Sequence, residues 1–174
     1  MKKIVITGGL GYIGIELCKI YSGYSWNDHI TVIDNRFISE RVNQIRNWNM
    51  NFVQGDILDK ELIKKYCEEA DIVHHLAGIT DVPRVKSESN QEHDLKIKMV
   101  AEEGTQNILD AISDKCKIVM PSSHVIYEGM EKVKNDIKEN EKTSPVLSYG
   151  KSKDFNEKQL KASGKNYIIL RLGS

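Results

Sequence analysis

Three glycines at intervals of three, Gly8, Gly11 and Gly14, lie between a β-branched run, Ile4 to Ile6, and an apolar-periodic segment that begins at Tyr12. A turn of this kind lets backbone N–H groups approach a pyrophosphate at the first turn of a helix, because no Cβ intervenes and positive φ is accessible. The chemistry it points to is dinucleotide binding, although an ordinary strand-to-helix turn uses the same residues. Asp34 stands 20 residues beyond Gly14 at the end of a second apolar run, Ile30 to Ile33. A carboxylate there accepts both hydroxyls of an adenosine ribose and repels a 2′-phosphate, which favours NAD over NADP. Arg36, just after that strand, tempers the preference, since an arginine there can pair with a 2′-phosphate. Beside Asn35, Asp34 also has a plain reading as a strand-end turn residue.

A second constellation lies far along the chain. Tyr149 and Lys153 are four residues apart on a segment that reads as a helix, and so share one face. A cation beside a phenol favours the phenolate and lowers its pKa from about 10, as a general base near neutrality requires. A tyrosine and a lysine at this spacing are also common on solvated helices. Ser123 gives the pair a partner, because it falls just beyond the expected end of the fifth strand, at the sheet edge where open α/β folds bind ligands.

Strand and helix signals alternate throughout, and that alternation must bring these residues together. After the glycine turn, a helix is expected over 12–21, stopped by Ser22-Gly23, then a strand over 29–33, a short helix near 39–47 and a strand over 51–54. Asp59 can cap a helix running through Glu69, and Asp71 opens a fourth strand that ends at Ala77-Gly78. A loop with Pro83 leads to a long amphipathic helix over about 91–113, in which Gly104 implies close packing. The fifth strand covers 117–120 and is closed by Pro121-Ser122-Ser123. An irregular polar stretch follows to Thr143. Ser144-Pro145 reads as an N-cap and first helical residue, the helix runs to about Ala162 with Gly164 as its stop, and the last strand is 167–172. The expected fold is therefore α/β, a doubly wound parallel sheet of about six strands with right-handed crossovers.

Composition narrows the class. The 174 residues suffice for one domain with a full core, and the 25 Lys+Arg balance the 25 Asp+Glu, which argues against nucleic acid or an anionic membrane as partner. No run approaches the length of a membrane span, and the run after Lys2-Lys3 breaks too soon for a signal peptide; the chain reads as soluble and cytoplasmic. Cys18, Cys67 and Cys116 have no zinc or redox spacing and fit buried, reduced side chains. No metal site is expected among the five histidines, and His75, on an apolar strand, reads as a satisfied core residue. Trp26 and Trp48 have no stacking partner in sequence.

Taken together the motifs resemble the extended short-chain dehydrogenases/reductases, of the NAD-dependent epimerase/dehydratase type that acts on nucleotide sugars. The matching segments are TGGLGYIG at 7–14, VIDN at 32–35, QGDI at 54–57, HHLAG at 74–78, EGTQNILDA at 103–111, SSHVIY at 122–127, YGKSK at 149–153 and LRLGS at 170–174. They span the chain in the family's order. The resemblance implies the Rossmann fold, with Gly8, Gly11, Tyr12, Ile13 and Gly14 at the pyrophosphate and Asp34, with Asn35 beside it, at the adenosine ribose. It also implies Asp56 and Ile57 flanking the adenine, and Leu76, Ala77 and Gly78 along the path to the nicotinamide ribose. Tyr149 would take a proton from a sugar hydroxyl as hydride passes to NAD. Lys153 would bind the nicotinamide ribose and lower the tyrosine pKa, and Ser123 would hydrogen-bond the reacting oxygen.

Several positions depart from the family pattern. Ala101 and Ser174 replace asparagines common in relatives, and Glu128 is inserted after Tyr127, next to the sugar. Relatives continue for about as many residues again, so the chain reads as one cofactor domain over 1–174 of a longer enzyme, and alone as a poorly active fragment. His124-Val125 follows Ser123 where a dehydratase carries Asp-Glu, which favours epimerisation or simple oxidoreduction. A homodimer through the long helix and the Tyr149 helix is implied by the resemblance alone. The alternatives are an NADPH-dependent carbonyl reductase of the same superfamily and a non-catalytic dinucleotide sensor.

Overall fold

Short β-branched runs and amphipathic helices alternate in the computed structural model, which describes residues 1–24, 28–80, 90–132 and 134–173. Trp26, Pro83 and Ser174, singled out above, lie outside the described residues. The strands are β1 (Lys3–Thr7), β2 (His29–Asp34), β3 (Asn51–Gln54), β4 (Ile72–His75), β5 (Lys117–Ser123) and β6 (Asn166–Leu172). The helices are α1 (Tyr12–Ser22), α2 (Ser39–Asn47), α3 (Lys60–Cys67), α4 (Gln91–Ala111) and α5 (Ser148–Ala162). The strands form one sheet in the order β3-β2-β1-β4-β5-β6, and every pairing is parallel. The order reverses between β1 and β4, so the chain leaves the sheet in opposite directions there and opens a crevice at the strands' C-terminal ends.

The pleat sorts each strand's side chains to two cores. Ile4, Ile6, Ile30 and Val32 pack with Cys18 of α1 and with Val42 and Ile45 of α2. Val5, Ile33, Val73, Ile118 and Met120 pack on the other face with Ile63 and Cys67 of α3, Ile108 and Leu109 of α4, and Leu160 of α5. Each fully buried isoleucine contributes roughly 1.5–3 kcal/mol, so both helical layers are held by apolar burial. The three cysteines are buried and free, and burial pushes the Cys18 and Cys67 thiols up to about 12 and that of Cys116 to about 11. At Gly104 an added Cβ would stand 2.3 Å from Ile57 Cδ1, which is the close packing expected of α4.

Helix α3 ends at Cys67, two residues short of the expected Glu69, and two boundaries differ by more. Strand β5 runs on through Pro121 to Ser123, paired along its whole length with β6, whereas its ladder to β4 ends at the His74–Val119 pair. The N–H that proline lacks therefore falls where β4 no longer needs it. Helix α5 starts at Ser148, and Ser144 is not its N-cap. Ser144 is instead zipped to the preceding loop, its N–H donating to Ile126 O at 2.8 Å and its hydroxyl to Gly129 O at 3.1 Å. The helix has no side-chain cap, and the segment just before it is held by Glu128, whose Oε1 receives the N–H groups of Val146 (2.7 Å) and Leu147 (2.6 Å). Gly164 closes the helix at φ +71°, as expected.

Candidate active site

The C-terminal ends of all six strands open onto one cleft of about 760 Å³ at the β1/β4 reversal. Its walls include Gly8, Gly11, Tyr12, Ile13 and Gly14 from the first turn, Asp34 and Asn35 after β2, Asp56 and Ile57 after β3, and Leu76, Ala77 and Gly78 after β4. Ser123 at the end of β5 and Tyr149 and Lys153 on α5 line the same cleft. The structure thus brings to one cleft every residue expected above to touch the dinucleotide or take part in the chemistry. It adds Arg41, which nothing in the sequence marked, and His93, Lys96 and Val100. Their 3- and 4-residue spacing on the expected long helix was the available signal.

The glycine turn is shaped by close approach. Gly8 has φ +69°, and a Cβ on it would lie 2.6 Å from Ala77 N; one on Gly14 would lie 2.6 Å from Gly8 O. Helix α1 begins with Gly11 as N-cap, has no side-chain cap and carries no acidic residue in its first turn. Its leading N–H groups and dipole thus face the cleft with no side chain capping them, an arrangement that suits a diphosphate. By contrast, α3 and α4 are capped by Asp59 and Asn90. Asp34, only 5 % exposed, accepts the Leu10 N–H through Oδ2 at 3.0 Å and the Arg36 N–H through Oδ1 at 3.0 Å. Asp56 is held by Asn35 Nδ2 at 2.9 Å and by the Leu58 N–H at 3.0 Å, while Asn107 of α4 donates to Ile57 O at 3.0 Å. The turn after β3 is therefore pinned from both sides.

Around the tyrosine, the electrostatics differ from the expected lowering of its pKa. Lys153 Nζ lies 5.7 Å from the Tyr149 ring centroid and donates to Pro121 O at 3.1 Å. Burial raises the Tyr149 phenol above 10 and pulls the Lys153 ammonium down to about 8. The low polarity that surrounds both groups opposes charge on either one, and at this separation it outweighs their attraction. Ser123 Oγ accepts the Val125 N–H at 3.4 Å, capping a short 3-10 helix over His124–Tyr127.

Beneath the cleft a polar chain ties the strands to α5. His75 is fully buried between Thr7 Oγ1 and Thr105 Oγ1, 3.0 Å from each, and Asn156 Nδ2 donates to Thr105 Oγ1 at 2.9 Å. Burial, with Lys153 nearby, holds its imidazole at about 3, so His75 is neutral near pH 7 and acts as a satisfied core residue. Behind it, Arg171 Nε and Nη2 grip the Glu157 carboxylate at 2.8 and 2.6 Å. Among the described residues no group of acidic, histidine or cysteine side chains is placed to hold a metal ion.

The fold that carries this cleft is shared with known proteins. The family model for the 3-beta hydroxysteroid dehydrogenase/isomerase family matches residues 5–170. The chain belongs to this family. Within the 3-beta hydroxysteroid dehydrogenase/isomerase family it is similar to the UDP-glucose 4-epimerase of Neisseria meningitidis serogroup C, with 31 % identity over 92 % of this chain and 48 % of that protein. The UDP-N-acetylglucosamine 4-epimerase of Methanobrevibacter ruminantium M1, solved with UDP-N-acetylmuramic acid, superposes with TM-score 0.79 and 26 % identity over 98 % of this chain and 54 % of that one. The UDP-glucose 4-epimerase of Brucella ovis, solved with NAD, gives TM-score 0.79 and 28 % identity over 98 % and 51 %. The chain spans about half the length of these relatives, and the resemblance to extended short-chain dehydrogenases/reductases of epimerase/dehydratase type holds along it. No helix among the described residues is long and apolar enough to cross a membrane.

Proposed function

We propose that this chain is the NAD-binding and proton-transferring part of a nucleotide-sugar epimerase or a related oxidoreductase. The observation that carries the reading is the placement of Ser123, Tyr149 and Lys153 on the same cleft as the uncapped glycine turn. Gly8 to Gly14 would hold the pyrophosphate, Asp34 and Asn35 the adenosine ribose, Asp56 and Ile57 the adenine, and Leu76 to Gly78 the nicotinamide side. NAD, when bound, supplies a hydride acceptor. Tyr149 takes the proton of a sugar hydroxyl, Ser123 hydrogen-bonds that oxygen, and Lys153, held at Pro121 O, presents its remaining N–H donors to ribose hydroxyls. The raised phenol pKa assigns the activation of Tyr149 to the loaded site, where the ribose, the substrate and Lys153 together can stabilise a phenolate.

The sugar reading is favoured over the steroid of the family's name by the nucleotide-sugar epimerases among the relatives, and the cleft carries polar side chains, among them Thr80, Lys96, Ser123 and His124, able to hydrogen-bond a sugar. Leu95 and Met99 on α4 and Phe155 on α5 are exposed, which supports pairing with a second copy. In the full-length protein, Tyr149→Phe is expected to keep NAD affinity and abolish turnover of a nucleotide sugar. Unchanged turnover would remove the assignment of the base, and NAD binding by the full-length wild type with no turnover of any nucleotide sugar would favour a sensor.

A further inference from the structure

At the adenosine end of the cleft, the Asp34 carboxylate is already saturated. Oδ1 receives the Arg36 N–H at 3.0 Å and Arg36 Nε at 3.2 Å; Oδ2 receives the Leu10 N–H at 3.0 Å and Arg36 Nη2 at 3.4 Å. Four donors fill the acceptor sites of a carboxylate. Two of them are backbone groups fixed by the turn, and the other two belong to one guanidinium. A ribose diol can therefore reach Asp34 only by displacing the Arg36 side chain. That side chain is 56 % exposed to solvent, whereas the side chain of Asp34 is only 3 % exposed. Its Nη2 lies 4.0 Å from the point where a Cβ on Gly11 would stand, so the guanidinium rests over the glycine turn itself. A second guanidinium, that of Arg41, lines the same end of the cleft and is fastened to Leu10 O. One guanidinium on Asp34 and a second on Leu10 O thus both lie at this end of the cleft, beside the positive end of α1.

We propose that Arg36 is an internal competitor for the adenosine ribose: resting on Asp34 it weakens NAD, and swung off it pairs, with Arg41, to the 2′-phosphate of NADP, so the site takes both dinucleotides. This rests on the dinucleotide reading above. With Asp34 ion-paired, the repulsion that excludes a 2′-phosphate is offset, and the phosphate finds a fork donor suited to it.

Calorimetric titration of the purified protein with NAD and with NADP tests the idea, using the wild type, Arg36→Ala and Arg36→Lys. Arg36→Ala is expected to bind NAD about fivefold tighter, because the competing pair is gone, and NADP about tenfold weaker. Arg36→Lys retains the charge without the fork and should keep NADP within about threefold of the wild type while still tightening NAD. An unchanged NAD-to-NADP ratio in Arg36→Ala, or weaker NAD binding by it, overturns the proposal while leaving the cofactor reading intact. Failure of the wild type to bind NAD at all removes that reading and the proposal with it.

Discussion

Replacing Glu157 by Gln should cost the protein about 3 kcal/mol at neutral pH and take the helix that carries Tyr149 and Lys153 out of its fixed seat. Glu157 is 1 % exposed and one turn beyond Lys153 on α5, where it joins α5 to β6 through both carboxylate oxygens. Burial alone would raise its pKa, but the hydrogen bonds from Arg171 and Lys161 win, and the carboxyl is held at about 2 in place of 4.5. At about 1.4 kcal/mol per pH unit, that displacement corresponds to about 3 kcal/mol, at the lower end of what breaking a buried pair costs. The folded pKa lies below the unfolded one, so the contribution is complete above about pH 4.5 and disappears as pH falls toward 2.

Urea denaturation gives the readout. With a slope of about 2 kcal/mol/M for a chain of this size, the midpoint of Glu157→Gln should fall by about 1.5 M at pH 7. The gap from the wild type should close as the titration moves from pH 5 toward pH 3. Glu69→Gln is the control: it removes an ion pair with Lys3 whose side chains are 75 % and 50 % exposed, and should leave the midpoint where it was. Equal midpoints for Glu157→Gln and the wild type at pH 7, or a gap that does not narrow in acid, would refute the assignment of this pair as the anchor of α5.

Other consequences follow from the same cleft. Lys153→Met should stabilise the fold by roughly 1–2 kcal/mol at pH 7 while weakening NAD, because folding depresses the ammonium pKa to about 8; the wild type should regain that stability as pH rises above 8, which thermal melts at pH 7 and 9 would detect. The His75 ring, held at about 3, should give NMR shifts that do not move between pH 5 and 8, and a titrating signal would contradict the buried chain through Thr7 and Thr105. Gly14→Ala should destabilise the protein by at least about 2 kcal/mol and abolish dinucleotide binding, since its Cβ would press on the Gly8 and Gly9 backbone, which cannot yield without reshaping the turn; a normal melting temperature would argue against that packing.

Period and punctuation determined much of this protein from the sequence alone. The strands β1 to β4, helices α1 and α2, the Asp59 cap and the Gly164 stop follow from residues acting on their immediate neighbours, and the glycine spacing with Asp34 marked the dinucleotide end of the cleft. Local signals failed where a distant partner decides. Pro121 looks like a strand terminator until β6 is seen to pair past it, and Ser144-Pro145 looks like a cap until Ser144 is seen bound to Gly129, with Glu128 holding the N–H groups just before the helix.

Only the fold decided which charges compete and which cancel. Identity and spacing said that a lysine near a tyrosine favours a phenolate; burial, a property of the packed chain, raised the phenol and lowered the ammonium instead. Likewise Asp34 and Arg36 were legible as two opposed hints about the cofactor, and the packing shows them bound to each other. A sequence fixes what each side chain can donate, accept or ionise, whereas the strength of those tendencies depends on solvent and partners that folding alone assigns.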